Sequence, residues 1–445
     1  MTTKRTLMGS AVGFGLAAGL ATAAIAQDTT TLTIATVNNG DMIRMQGLTD
    51  NFTEQHPDIE LEWVTLEENV LRQRVTQDIA TSGGQFDVMT IGVYEVPIWA
   101  EQGWLTPLDN LPESYNADDL LPAVRGALSQ DGQLYAAPFY GESAMVMYRT
   151  DLAEEAGVTI PDQPTWAEIR TAAEAMTDEE NGVYGICLRG KPGWGENMAL
   201  IGAMANSYGA RWFDMDWQAQ FDSPEWNEVL TDYLDLMTNY GPPGAAANGF
   251  NENLSLFQQG KCGMWIDATV AASFVTDPED SQVADSVGFA QFPNKEGVDN
   301  RGNWLWIWTL AVPAGTDASE AAQEFVAWAT SQEYTQLVAE EEGWRAAPPG
   351  TRTSLYENQE YLDAAPFAQM TLDSMNAVDT SAPAEGEIPY TGAQYVAIPE
   401  FQGIGTAVGQ SFSAALAGQM DAEQALQSAQ QITQREIDRA GYGEN

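Results

Sequence analysis

Residues 31–91 read TLTIATVNNGDMIRMQGLTDNFTEQHPDIELEWVTLEENVLRQRVTQDIATSGGQFDVMTI, and the spacing of their apolar residues switches back and forth between two periods. Residues 31–37 form a β-type run that stops on the turn residues Asn38, Asn39 and Gly40. Met45, Leu48 and Phe52 then recur at helical spacing as far as His56-Pro57, and residues 59–63 alternate like a strand. Leu71, Val75 and Ile79 make a second helical stripe, broken at Ser82-Gly83-Gly84, before the apolar run FDVMTI at 86–91. This β-α-β-α-β order predicts an α/β fold built on a mostly parallel sheet covered by helices. In open sheets of that kind ligands bind beyond the C-terminal ends of the strands, which directs attention to the loops at 38–42 and 91–95.

Outward from this unit, LYAAPFYGESAMVMYRTDL (134–152) reads as one strand running into another, with Pro138 and Gly141 between, and is expected to cross between two lobes. Helical or strand patterns continue through 166–176, 183–188 and 226–237. A second crossing is expected at VGFAQFP (287–293), followed by RGNWLWIWTLAVP (301–313) and a helix carrying Ala321, Ala322, Phe325, Val326 and Ala329. Ala425, Leu426, Ala429, Ile432 and Ile437 mark an amphipathic C-terminal helix. The expected division is therefore a leader at 1–26, a first lobe from 27–139 and 287–325, and a second lobe from 140–286 and 326–445. A chain that passes repeatedly between two α/β lobes makes a hinge rather than two beads on a string.

The leader MTTKRTLMGSAVGFGLAAGLATAAIAQ has a basic start at Lys4 and Arg5, a short apolar stretch and small residues before Gln27, the layout of a secretory signal peptide cleaved after Ala26. The expectation is export to the periplasm. A formal charge of −46 in 445 residues repels nucleic acid and anionic lipid, both of which are bound through clustered Lys and Arg, so no nucleic-acid partner is expected. With 44% hydrophobic and 10% aromatic residues the chain is nonetheless a folding one. Its two cysteines, Cys187 and Cys262, are either one disulfide or two buried thiols. Neither suggests a metal site, since there is no CxxC and the only histidine is His56; no metal and no cofactor are expected.

Catalytic patterns are scarce. A single histidine in a polar EQHPD turn supports no zinc HExxH motif and no serine triad. GESAM at 141–145 lacks the second glycine of a nucleophile elbow, and GIGTAVG at 403–409 has the wrong spacing for a dinucleotide loop. Acid pairs such as Asp214/Asp216 keep an exported glycoside hydrolase as a rival reading. The chain does offer aromatics beside polar groups at turns and strand ends: NNGDM, IGVYE, PFYGESAM, LRGKPGWGENM, MWIDATV and RGNWLW. Flat rings bury the C–H face of a sugar or polyol while carboxylates, amides and guanidiniums take its hydroxyls.

Taken with GGQFDVMTIGVYEVPIWAEQGWLTPLD, FQQGKCGMWIDATVAASF and WTLAVPAGTDASEAAQEFVAWAT, these segments resemble the extracytoplasmic solute-binding proteins of bacterial ABC sugar importers, over essentially the whole chain after the leader. GICLRGKPGWGEN and GWRAAPPGTRTS are similar to the subgroup that takes linear polyols such as sorbitol and mannitol. The resemblance implies a two-lobed, maltose-binding-like (type II) periplasmic binding fold hinged by crossing strands, a non-enzymatic monomer that closes over one small carbohydrate, and a membrane permease as partner. A mono- or disaccharide is the alternative guest. Carried over by position, the ligand would meet Asn38, Asn39, Tyr94, Glu142, Arg189, Trp194, Asp267 and Trp304. Of the tryptophan run, Trp304 is expected at the cleft, with Trp306 and Trp308 continuing inward as core.

Overall fold

The computed structural model describes Thr2, residues 29–298 and residues 302–443; the leader with its cleavage point, and Arg301, lie outside the described residues. The unit at 31–91 folds as its periodicity predicts. β1 (Thr30–Val37) pairs in parallel with β2 (Ile59–Leu66) and with β3 (Val88–Gly92). The helices between them, Gly40–Gly47 and Glu68–Ala80, bury Met42 and Met45, and Leu71, Val75 and Ile79, against the sheet. After a two-residue-per-arm hairpin, β4 (Ser129–Gln130) and β5 (Gln133–Leu134), the chain enters β6 (Ala136–Glu142), buried along its whole length.

Only Ser143 separates β6 from β7 (Ala144–Arg149), yet the two lie in different sheets. β8 (Tyr184–Cys187), β9 (Cys262–Ala268) and β10 (Val287–Gln291) complete the second sheet, in the order β10-β7-β9-β8. β11 (Trp306–Ala311) returns to the first, giving β2-β1-β3-β11-β6. Each sheet is mostly parallel, with one reversed strand: β11 runs against β3 and β6, and β7 against β9 and β10. Cys187, ending β8, is bonded to Cys262, which begins β9, with the Cα atoms 5.8 Å apart.

The hinge is stitched at the crossing itself. The buried Ser143 hydroxyl donates to the Trp304 carbonyl at 2.6 Å, and the Ala144 N–H donates to Asn303 Oδ1 at 2.9 Å. The outgoing and returning strands thus share polar partners at a place where a backbone change must be absorbed.

Two expected boundaries move. β10 pairs with β7 through five successive positions, Val287 opposite Arg149 to Gln291 opposite Met145, so 287–291 belongs to the second lobe and the return falls between Gln291 and Trp306. An apolar run such as VGFAQ carries no signal for which of two sheets it will join. The boundary at 325/326 would cut the continuous helix Ser319–Ala329, which packs on β1 and β6. Beyond that helix the chain stays with the first lobe: the Tyr334 ring lies 5.7 Å from Phe139, and Arg352 donates to the Asn116 and Thr330 carbonyls. Helix Ala368–Asn376 then packs on β7, and Phe401–Leu416 against the helices Asn197–Ser207 and Pro224–Tyr240 of the second lobe.

Candidate ligand-binding site

Between the lobes lies a small cavity with about 30 Å³ of free space, its lining drawn from both lobes. It sits where the sheet architecture places it. Asn39 follows β1, Glu68 and Arg72 open the helix after β2, Tyr140 and Glu142 end β6, and Arg189 follows β8. Trp194, Gly195, Phe250, Val270 and Gln394 add walls from the second lobe.

Trp304, Trp306 and Trp308 all line this cavity, and all are buried, at 1%, 5% and 3% exposure. Trp306 and Trp308 belong to the buried core as expected, and the same two rings also reach the cavity. Residues at i, i+2 and i+4 of an extended strand share one face, and here that face is the cleft wall. Gly92 makes room for it: a Cβ there would fall 1.9 Å from Trp306 Cζ2. The indole N–H groups of Trp304 and Trp306 are buried with no hydrogen-bond partner among the described residues, donors left for a guest.

Arg72 holds these rings in order. Its guanidinium carbon lies 4.2 Å from the Trp194 ring centroid, 4.6 Å from Trp306 and 4.8 Å from Trp308. Glu68 accepts from its Nε and Nη2 at 3.0 and 2.8 Å, and Glu95 from Nη1 at 3.2 Å. Glu95 in turn accepts the Gly92 N–H and, from the second lobe, Gln402 Nε2 at 3.1 Å. A buried guanidinium stacked on aromatic faces and paired with two carboxylates is held rigidly and has no charge left unmatched.

The second guanidinium, Arg189, is built the same way. Asp267 accepts three hydrogen bonds from it, at 2.6, 2.9 and 3.1 Å, and also those of Trp265 Nε1 and the Ala268 N–H. Arg189 Nη1 donates to the Gly195 carbonyl and lies 3.5 Å from Glu196. Burial alone would lower the Arg189 pKa, but Asp267 and Glu196 hold it above its ordinary value. Asp267 is fully buried and outside the cavity lining, so the structure makes it the support of Arg189 rather than a wall residue.

Glu142 stands apart. It lines the cavity at 5% exposure, and among the described residues nothing donates a hydrogen bond to its carboxylate. Burial pushes its pKa well above the usual carboxylate range; nearby Arg189 opposes that, while Asp267, Glu68 and Asp41 add to it.

Besides Asp267, two more of the residues carried over from the resemblance are not brought to the cavity wall. Asn38 is exposed and accepts from Asn251 Nδ2 across the lobes at 3.4 Å. Tyr94 lies one layer back: its ring is 4.9 Å from Trp194 and its hydroxyl donates to the Ile398 carbonyl at 2.7 Å, again between lobes. Asn39, Glu142, Arg189, Trp194 and Trp304 do line the cavity, and Asn39 Nδ2 donates to the Tyr140 hydroxyl at 3.1 Å. Sequence reasoning missed Glu68, Arg72, Phe250 and Gln394, and had Tyr140 only as part of the segment PFYGESAM. A signal existed for one pair: Glu68 and Arg72 stand at i, i+4 in the first turns of a helix that follows a strand. The acids Asp214 and Asp216 form a turn, Asp214 accepting the Asp216 and Gln218 N–H groups, away from the cavity.

Two α/β lobes, joined by crossing strands and shut on one small enclosed cavity of rings and paired charges, define a clamshell binding protein. The chain belongs to the family of bacterial extracellular solute-binding proteins, whose profile matches residues 39–336. It is 57% identical over 426 residues to the mannitol-binding protein of Pseudomonas aeruginosa PAO1, covering 96% of this chain and 97% of that one. A solute-binding protein of an ABC transporter from Agrobacterium vitis S4, solved with bound D-mannitol, is 65% identical. Its TM-score is 0.92, over 93% of this chain and 100% of the other. Maltose-bound MalE3 of T. maritima superposes with a TM-score of 0.77 over 91% and 99% of the two chains at 21% identity, a likeness of fold alone. The architecture is thus the maltose-binding-like, type II periplasmic binding fold.

Proposed function

We propose that this protein is the periplasmic receptor of an ABC importer and captures an acyclic hexitol, mannitol or sorbitol, for delivery to a membrane permease. One observation carries the reading: both cavity guanidiniums are already matched by carboxylates, so the site asks for a neutral guest rich in hydroxyls. Arg72, Arg189, Gln394, Asn39 and the two unpartnered indole N–H groups supply donors, Glu142 and Glu68 supply acceptors, and the tryptophan faces cover C–H groups. The mannitol-binding relatives support the choice of guest. The small, aromatic cavity favours a six-carbon chain over a disaccharide.

In this reading the protein works as an exported monomer freed of its leader after Ala26, and turns nothing over. Closure is a population shift stabilised by contacts made with both lobes at once, Arg72 and Trp306 on one side and Arg189 and Trp194 on the other. Calorimetric titration with mannitol, sorbitol, glucose and maltose tests it. One-to-one binding of a hexitol and silence from maltose are expected; maltose binding without hexitol binding would reject the assignment.

A further inference from the structure

Five buried carboxylates surround the two guanidiniums of the cavity. Arg72 is held by Glu68 and Glu95, and Arg189 by Asp267 with Glu196 close by. The fifth is Glu142. Arg189, the cation that acts on it, donates to Asp267 and to the Gly195 carbonyl rather than to Glu142. Lys191, at the rim, is taken by Glu67 at 2.6 Å and lies 3.4 Å from Glu196. Carboxyl groups outnumber guanidiniums around the guest site five to two, and one of them, to which no described residue donates, faces into it.

Such a wall distinguishes guests by charge. A carboxylate-bearing guest would be buried beside Glu142 with both guanidiniums already matched, where two carboxyl groups cannot both ionise without strong repulsion. An ammonium-bearing guest would find an unpaired carboxylate, together with the faces of Trp304 and Trp306, which attract cations. Resting on the hexitol reading, we infer that Glu142 is a specificity-determining residue that sorts polyols by charge, admitting aminopolyols and excluding polyol acids. The two ends of mannitol are equivalent, so a single terminal substitution can always be presented to Glu142 without reversing the rest of the chain.

Mannitol, 1-amino-1-deoxy-D-mannitol and D-mannonate, titrated at neutral pH where the amine and the acid are both ionised, test this. The wild-type protein should bind the amine at least 100-fold more tightly than the acid. Glu142→Gln should shrink that ratio at least tenfold, and Glu142→Asp, which keeps the charge, should retain most of it; thermal melting of each variant confirms folding. An acid bound within tenfold of the amine, or a ratio unmoved by Glu142→Gln, overturns the inference. If the amine and acid keep their order but mannitol does not bind, the hexitol reading falls and the sorting stands; silence from all three ligands sinks both.

Discussion

Trp194 and Trp306 meet edge to face across the cleft, ring centroids 5.5 Å apart, and each has one face toward Arg72. Truncating either ring removes a fully desolvated wall at the centre of the site. Trp194→Ala and Trp306→Ala are each expected to weaken hexitol binding by about 2 kcal/mol or more, read by calorimetry, with the unliganded protein still folded. Asp267→Ala should differ in kind. It leaves the buried Arg189 guanidinium without its main partner, so affinity and unliganded stability fall together, the latter by about 3 kcal/mol or more. A loss of affinity with stability intact would return Asp267 to the cavity wall. Glu196 gives a pH test. Burial, with the Glu68 charge next and Arg189 and Lys191 opposing, raises its pKa to about 8. A folded-state pKa raised above the unfolded one means the folded protein holds the proton more tightly, so this group's contribution to stability falls as pH rises from about 4.5 toward 8. Glu196→Gln should therefore gain stability relative to wild type between pH 5 and pH 8 in denaturant titrations; a difference that does not grow would contradict the burial.

The disulfide joins cysteines separated by 75 positions in the sequence and ties the start of β9 to the end of β8, two residues before Arg189. On the chain-entropy account, replacing both cysteines by serine should cost about 4 kcal/mol of unliganded stability, measured by urea unfolding; no change would show that the sheet alone sets the local geometry. At this scale the sequence was readable where period and length agreed. The unit from 31 to 91 and the helix stripe Leu71, Val75, Ile79 emerge as read, because alternate and helical spacings bury residues by simple geometry. The fate of VGFAQFP was not readable, since strand pairing is a long-range choice between two sheet edges. The tryptophan run was readable only in part, for a related reason. Alternation says that Trp304, Trp306 and Trp308 share a face, but whether that face looks into a core or a cleft depends on Trp194 and Arg72, both distant in the chain. Arg72 itself was hidden inside an ordinary amphipathic helix.

For the whole molecule, the lobes touch outside the cavity as well as around it. Lys191 pairs with Glu67, Asn69 Nδ2 donates to the Pro192 carbonyl at 3.3 Å, and Gly193 and Gly195 approach so closely that a Cβ on either would fall within 2.4 Å of Asn69 or Glu68. These groups, with Tyr94 and Gln402, hold the two lobes together in the closed arrangement, to which a ligand would add its own bridging contacts. Tyr94→Phe, which removes the hydroxyl bonded to the second lobe, should lower affinity less than Trp194→Ala. The central claim is that one hexitol is held by both lobes together, and a crystal structure with D-mannitol tests it most directly. One molecule is expected in the cavity, its hydroxyls within hydrogen-bond distance of Arg72 on one lobe and Arg189 on the other and its carbon chain against the tryptophans. Mannitol bound elsewhere, or touching one lobe only, would contradict it.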